Sequence, residues 1–147
     1  MSYLSNADIE QRLGSKALIQ LADDDGDNVA DVGVVDEARL GAEREVDSYL
    51  ARRYAVPVDL NAHPELADLL ATFTLDLATF RLRARRPPVP DAATNMRQHA
   101  VQWLERIANG TIDLPALTEL PSSDLRGLRT GWNSEARLLS RDELSGH

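Results

Sequence analysis

The chain has 147 residues, 43% of them hydrophobic, enough for one domain with a modest core. Asp and Glu number 24 against 16 Lys and Arg, and the resulting net charge of −8 opposes general binding to nucleic acid. Cysteine is absent, which excludes disulfides, thiolate metal sites and a cysteine nucleophile.

The N-terminal residues MSYLSNADIE lack the basic region and apolar stretch of a secretory signal, and no apolar run approaches the roughly 20 residues that span a bilayer. A soluble, intracellular protein is expected. Ser5, followed by Asp8 at the third helical position, reads as a variant of the capping box. The short helix that follows turns Ile9 and Leu13 inward and stops at Gly14. Ser15 is the candidate cap of a second short helix, with Ala17, Leu18 and Leu21 on its apolar side.

An acidic turn, DDDGDNVAD, then leads into a long amphipathic helix. Val35, Ala38, Ala42, Val46, Tyr49 and Leu50 recur at the spacing of one helix face. Asp36, Glu37, Arg39, Glu43, Arg44, Glu45 and Asp47 fall on a face expected to be solvated. Pro57 cannot continue the helix and biases Val56 toward extended backbone, so the end is expected near Tyr54.

After the loop VDLNAH, Pro64 suits the first position of the next helix. Leu66, Leu69, Leu70, Phe73, Leu77 and Phe80 form its apolar stripe, and Leu75, Ala78 and Leu82 widen it. A face that broad places this helix at the centre of the core. It ends in Arg81, Arg83, Arg85 and Arg86 ahead of Pro87-Pro88-Val89-Pro90. Cations on a last turn suit the helix dipole, and the prolines make a stiff exit.

Asp91 is the candidate N-cap of a third long helix, with Ala92, Met96, Ala100, Trp103, Leu104 and Ile107 inward and Gly110 at its end. The fold class is therefore all-α: a small bundle of two short N-terminal helices and three longer ones over residues 1–111. Residues 112–147 hold several Pro, Gly, Ser and Asp with scattered leucines and no sustained period; they read as an extended C-terminal arm that orders against a neighbour, the other reading being a floppy C-terminus with incidental leucines.

Three features bear on chemistry. Asp23, Asp25 and Asp27 match positions 1, 3 and 5 of an EF-hand-like loop, with Val29 and Asp31 at positions 7 and 9. Asn28 stands where that loop has glycine, and Val34 stands where it has a bidentate glutamate and cannot ligate. The other reading is an acidic turn favourable ahead of a helix N-terminus, and no metal site is assigned. His63, His99 and His147 are far apart, with His99 read as a packing residue and His63 as a loop residue. The motifs GxSxG, GxGxxG, HExxH and the P-loop are missing, so neither a catalytic residue nor a cofactor is expected.

The run Arg81, Arg83, Arg85 and Arg86 reads either as a solvated helix end or as an interface for an acidic surface or a phosphate backbone. Trp132, beside a glycine, with Leu125 and Leu128 completes the set of candidate interface residues.

The order of these parts resembles a known family. Asp25-Gly26-Asp27-x-x-Ala30-Asp31, then Val35, Ala38, Ala42 and Glu45, then Tyr49-Leu50, Arg52, Arg53, Tyr54 and Pro57, is similar to the Mu-like prophage head–tail connector (adaptor) family. The openings YLSNADIEQRLG and LIQLADDDGD, the helix Leu66-x-x-Leu69-x-x-x-Phe73 and the segment Trp103-Leu104-x-x-Ile107-Ala108-x-Gly110 extend the resemblance over about residues 2–114. It implies an all-helical virion protein, made in the host bacterial cytoplasm, of which several copies, expected to be twelve, form a ring beneath the portal protein. The implied partners are the portal, tail or stopper/tail-terminator proteins and further copies of the chain, without a membrane. Genomic DNA would pass through the ring without sequence-specific binding. The alternative is a small calcium-binding or DNA-associated helical accessory module.

Overall fold

The computed structural model describes residues 2–121. The chain divides into a compact unit, Met1–Leu117, and a second unit, Thr118–His147, of which only the first four residues are described. The compact unit therefore includes 112–117, which the sequence alone assigns to the arm. Leu114 is buried there, and Ile112, Ala116 and Leu117 pack against the core. Leu125, Leu128 and Trp132 lie outside the described residues.

Among the described residues the longer elements are five α-helices, two short and three long, as the apolar spacing predicts. Helix α1 (Asn6–Leu13) starts with the expected capping box: Asp8 N–H donates to Ser5 Oγ at 3.2 Å, and Ser5 N–H to the Asp8 carboxylate at 2.9 Å. The bonds from Ser5 hold the Asp8 carboxyl below its usual range. Gly14, at φ +84°, closes α1 and directly precedes α2 (Ser15–Ala22). Ser15 is therefore the first residue of α2 rather than its cap, and its hydroxyl donates back to Glu10.

Helix α3 (Val32–Leu50) buries Val35, Ala38, Ala42, Val46 and Leu50. It ends four residues before Tyr54, and tight turns with Arg53 and Tyr54 N–H on Leu50 O carry the chain onward. Tyr54 itself is 1% exposed and belongs to the core. A 3-10 turn (Pro64–Leu66) leads into α4 (Ala67–Ala84), which packs against α1, α2, α3 and α5. Its breadth of buried surface, from Leu70 and Phe73 through Leu77, Ala78 and Leu82, matches the central place expected from its wide stripe.

Helix α5 (Asp91–Ala108) departs most from expectation. Pro90 is its N-cap and Asp91 its first residue. The buried face is Ala93, Ala100, Leu104, Ile107 and Ala108. Ala92 and His99 are exposed, as are Met96 (47%) and Trp103 (46%), so the expected inner positions of Ala92, Met96 and Trp103 are corrected. The expected Ala100, Leu104 and Ile107 are buried, and the face turns to take in Ala93 and Ala108 in place of Ala92, Met96 and Trp103.

Candidate functional site

The four arginines at the end of α4 do not form one surface. Arg85 donates to Leu21 O at 2.6 Å and to Asp24 at 2.6 Å; Arg86 donates to Asp23 O and to Asp24. These two therefore clasp the acidic turn, which is remote in sequence. Arg81 turns the other way, across α3, and donates to Glu45 Oε2 at 2.9 Å. It can lie there because position 41 is glycine: a Cβ at Gly41 would stand 3.0 Å from the Arg81 guanidinium. Arg83 is half-buried, and its side chain makes no hydrogen bond or ion pair with another described residue.

Sequence reasoning missed Arg97, which completes this site. Its Nη1 donates to Glu45 Oε1 at 2.9 Å, and its guanidinium stacks 5.1 Å from the Phe80 ring centre. One carboxylate is thus held between two guanidiniums, the geometry that charge-assisted bonds favour. Around it lies a groove of about 430 Å³ between α3, α4 and α5. Val34, Ala38, Phe80 and Ala84 give it apolar surface, and Arg81, Arg85, Arg97, Glu37 and Glu45 give it charge. A second depression, of about 320 Å³, continues from Phe80 and Arg97 along α5 to Val101 and Gln102. No local spacing links residues 45, 81 and 97, so only the packing of three helices could reveal the site.

The acidic turn is closed by its own backbone. Asp23 accepts from the N–H groups of Gly26 and Asn28, Asp25 from Asp27, Asp27 from Val29, and Asp31 from Asp24. Asn28 adopts φ 64°, the left-handed conformation that the glycine position of such a loop needs. Carboxylate oxygens of Asp23, Asp25, Asp27 and Asp31 lie within 4.8 Å of one another and are the groups that could hold a hard cation. Against desolvation, the Gly26 and Asn28 N–H bonds hold the Asp23 carboxyl low. The Asp27 N–H favours ionised Asp25, yet the neighbouring carboxylates of Asp23 and Asp27 push its pKa up. Val29 and Val32, 60% and 66% exposed, project from the turn and from the start of α3.

On the opposite stripe of α3, the sequence places Arg39, Glu43, Arg44 and Asp47 on a solvated face. The structure corrects three of these. Glu43 is buried and accepts from Ser2 Oγ and from Tyr3 N–H. Tyr3 donates its hydroxyl proton to Asp47 while its oxygen accepts Val58 N–H at 2.8 Å. Arg39 binds Asn6, Ser2, Glu43 and Asp36. The N-terminal segment thus folds over α3 and covers acids that the helix alone would leave wet; Arg44 stays exposed. Burial pushes the Asp47 carboxyl up despite the Tyr3 bond, and burial together with that bond pushes the Tyr3 hydroxyl up. Asp36 is held low by the amide of Asn6, 2.7 Å away.

His63 lies 3.5 Å from Glu65 at the start of the 3-10 turn, the loop position expected for it. His99 is solvent-facing on α5, which overturns its reading as a packing residue. Among the described residues, the acidic turn is the one cluster of three or more acids or histidines with metal-like spacing.

These features sit on a chain with a recognisable family. The family described as bacteriophage Mu, Gp36 matches residues 3–127, which includes the whole helical unit from Tyr3 onward, the acidic turn and the groove. No curated protein matches the chain. With most of its length matched, the chain belongs to the bacteriophage Mu Gp36 family and is a Mu-like phage protein.

Proposed function

We propose that this protein is a structural component of the virion, a head–tail connector (adaptor) whose copies form a ring beneath the portal and join the head to the tail. The match to a Mu phage family over residues 3–127 carries this reading. The motif order from Asp25 to Pro57, similar to the Mu-like connector family, narrows it to the connector. The partners are the portal protein, tail or stopper/tail-terminator proteins, and other copies of the chain, twelve in the ring. DNA passes through without sequence-specific contact, which a net charge of −8 suits because it opposes gripping the phosphate backbone. Among the described residues no helix is long and apolar enough to cross a membrane. A DNA-binding role for the arginine run has less support, since Arg81, Arg85 and Arg86 are engaged with Glu45, Asp24 and backbone carbonyls.

Quantitative mass spectrometry of purified virions tests the reading. The expected result is a copy number equal to that of the portal. Absence from mature particles overturns it.

A further inference from the structure

We infer that an acidic cleft between α1 and α4 receives the basic run of residues 125–132, with its leucines and tryptophan, from a second copy of this chain. The inference rests on the ring reading above and names a contact through which neighbouring copies would hold one another.

The cleft, of about 590 Å³, lies between the N-terminal segment, α1 and the first half of α4. That volume is inside the range of roughly 300–1,000 Å³ in which clefts hold ligands. Leu4, Ala71 and Leu75 give it apolar lining, and Met96, 47% exposed on α5, adjoins it through its contact with Arg12. Its charge is negative. Asp8 and Asp68 line it, and both are exposed. Asp8 is bonded to Ser5, a neutral partner that leaves its charge uncompensated, and Asp68 forms no ion pair among the described residues. Arg12 is the one cation in the described lining, and its guanidinium is taken by Asp76 at 3.2 Å. Two open carboxylates beside apolar walls suit a segment that carries both arginines and large apolar side chains.

The chain carries such a segment beyond the described residues. From Leu125 to Ser134 it holds Arg126 and Arg129 with Leu125, Leu128 and Trp132, and no acid. The later pair Arg137 and Arg141 is followed at once by Asp142 and Glu143, which cancel it. Residues 122–147 as a whole hold four arginines and four acids, so the net charge of −8 lies in residues 1–121. Two copies therefore present like-charged bodies to each other, and that repulsion opposes bundle against bundle. The run at 125–134 is the part of a second copy that an acidic cleft attracts. Tryptophan and arginine are also the side chains on which interfaces most often depend. Cleft and run are different patches, so the contact is heterologous, and repeated by rotation it closes a ring.

The lack of cysteine allows a direct test with full-length chains. Ala71→Cys sets a thiol in the cleft, and Leu128→Cys sets one on the run. Mixed and oxidised, these variants should give a cross-linked heterodimer. Ala84→Cys, at the far end of α4, should give only traces with Leu128→Cys. One chain carrying both Ala71→Cys and Leu128→Cys should form a ladder of linked copies. Arg126→Glu with Arg129→Glu should lower the heterodimer yield about fivefold, and Asp68→Lys on the cleft partner should recover part of it. Equal linkage at Ala71→Cys and Ala84→Cys overturns the inference. So does an undiminished yield after the charge reversal, or the lack of a heterodimer at the highest protein concentration reached. A double variant that closes on itself as a monomer puts the run in its own cleft and overturns the role of a second copy. If virions shield the thiol of Ala71→Cys from a reagent while no cross-link joins copies in those particles, another virion protein fills the cleft and the inference fails. A portal-like copy number without the cross-link rejects this contact and leaves the connector; the cross-link in a chain missing from virions does the reverse.

Discussion

Tyr54 and Tyr3 each join segments that are far apart in sequence through one hydroxyl. The Tyr54 oxygen accepts the N–H of Leu114 at 3.0 Å in a buried setting, and Arg53 beside it donates to Ile107 O and Ile112 O. Tyr54→Phe leaves the Leu114 N–H without an acceptor in the core. It should cost about 1–3 kcal/mol in denaturant unfolding and speed amide exchange at 112–117 first. At the other end, burial raises the Asp47 pKa above its unfolded value of 3.8. The proton is thus bound more tightly in the folded state, so stability is full below the unfolded pKa and falls as pH rises through the folded one. Asp47→Asn keeps an acceptor for the Tyr3 hydroxyl and removes that loss. Its stability relative to the parent should therefore improve between about pH 3 and pH 7. Equal effects at both pH values would show that the charge on Asp47 is not what burial penalises. The Ser5 capping box was readable because it is local. The burial of Glu43 was not, because Ser2 and Tyr3 reach it from outside α3.

At the scale of the helix, periodicity sufficed where one face dominates. Helix α4 has a single broad stripe and sits where that stripe predicts, whereas α5 has two candidate stripes seven-residue patterns cannot rank. Met96 and Trp103 are larger than Ala93 and Ala108, yet those alanines face the core beside the expected Ala100, Leu104 and Ile107. Met96 instead lies on the Arg12 side chain, which also pairs with Asp76 at 3.2 Å. The two faces make opposite stability predictions. Leu77→Ala, fully buried on α4, should cost about 2–5 kcal/mol. Trp103→Ser should stay within about 0.5 kcal/mol of the parent by the same measurement. A loss at Trp103 near that at Leu77 would restore Trp103 to the core.

For the molecule as a whole, the core of Met1–Leu117 is assembled from α1 to α5, the segment 2–4 and the strap around Leu114. A chain ended after Leu117 keeps all of those core residues. It should unfold cooperatively near the parent's midpoint by circular dichroism and yet fail to enter virions, if the C-terminal residues serve the connector as an arm. Normal incorporation of the shortened chain would remove the arm from the proposal.

Sequence by itself determined the all-helical class, the number and order of the helices, the capping of α1 and the central place of α4. It also carried the relationship to Mu-like phage proteins, through motif order between Asp25 and Pro57. Each of these rests on spacing within one segment, where the 3.6-residue period and cap chemistry act locally. Only the tertiary structure decided which stripe of α5 faces inward, that Glu43 is buried, that Arg85 and Arg86 clasp the acidic turn, and that Glu45, Arg81 and Arg97 meet over Phe80. Those outcomes depend on which surfaces cover one another, and that is set by the packing of distant segments into a shared core.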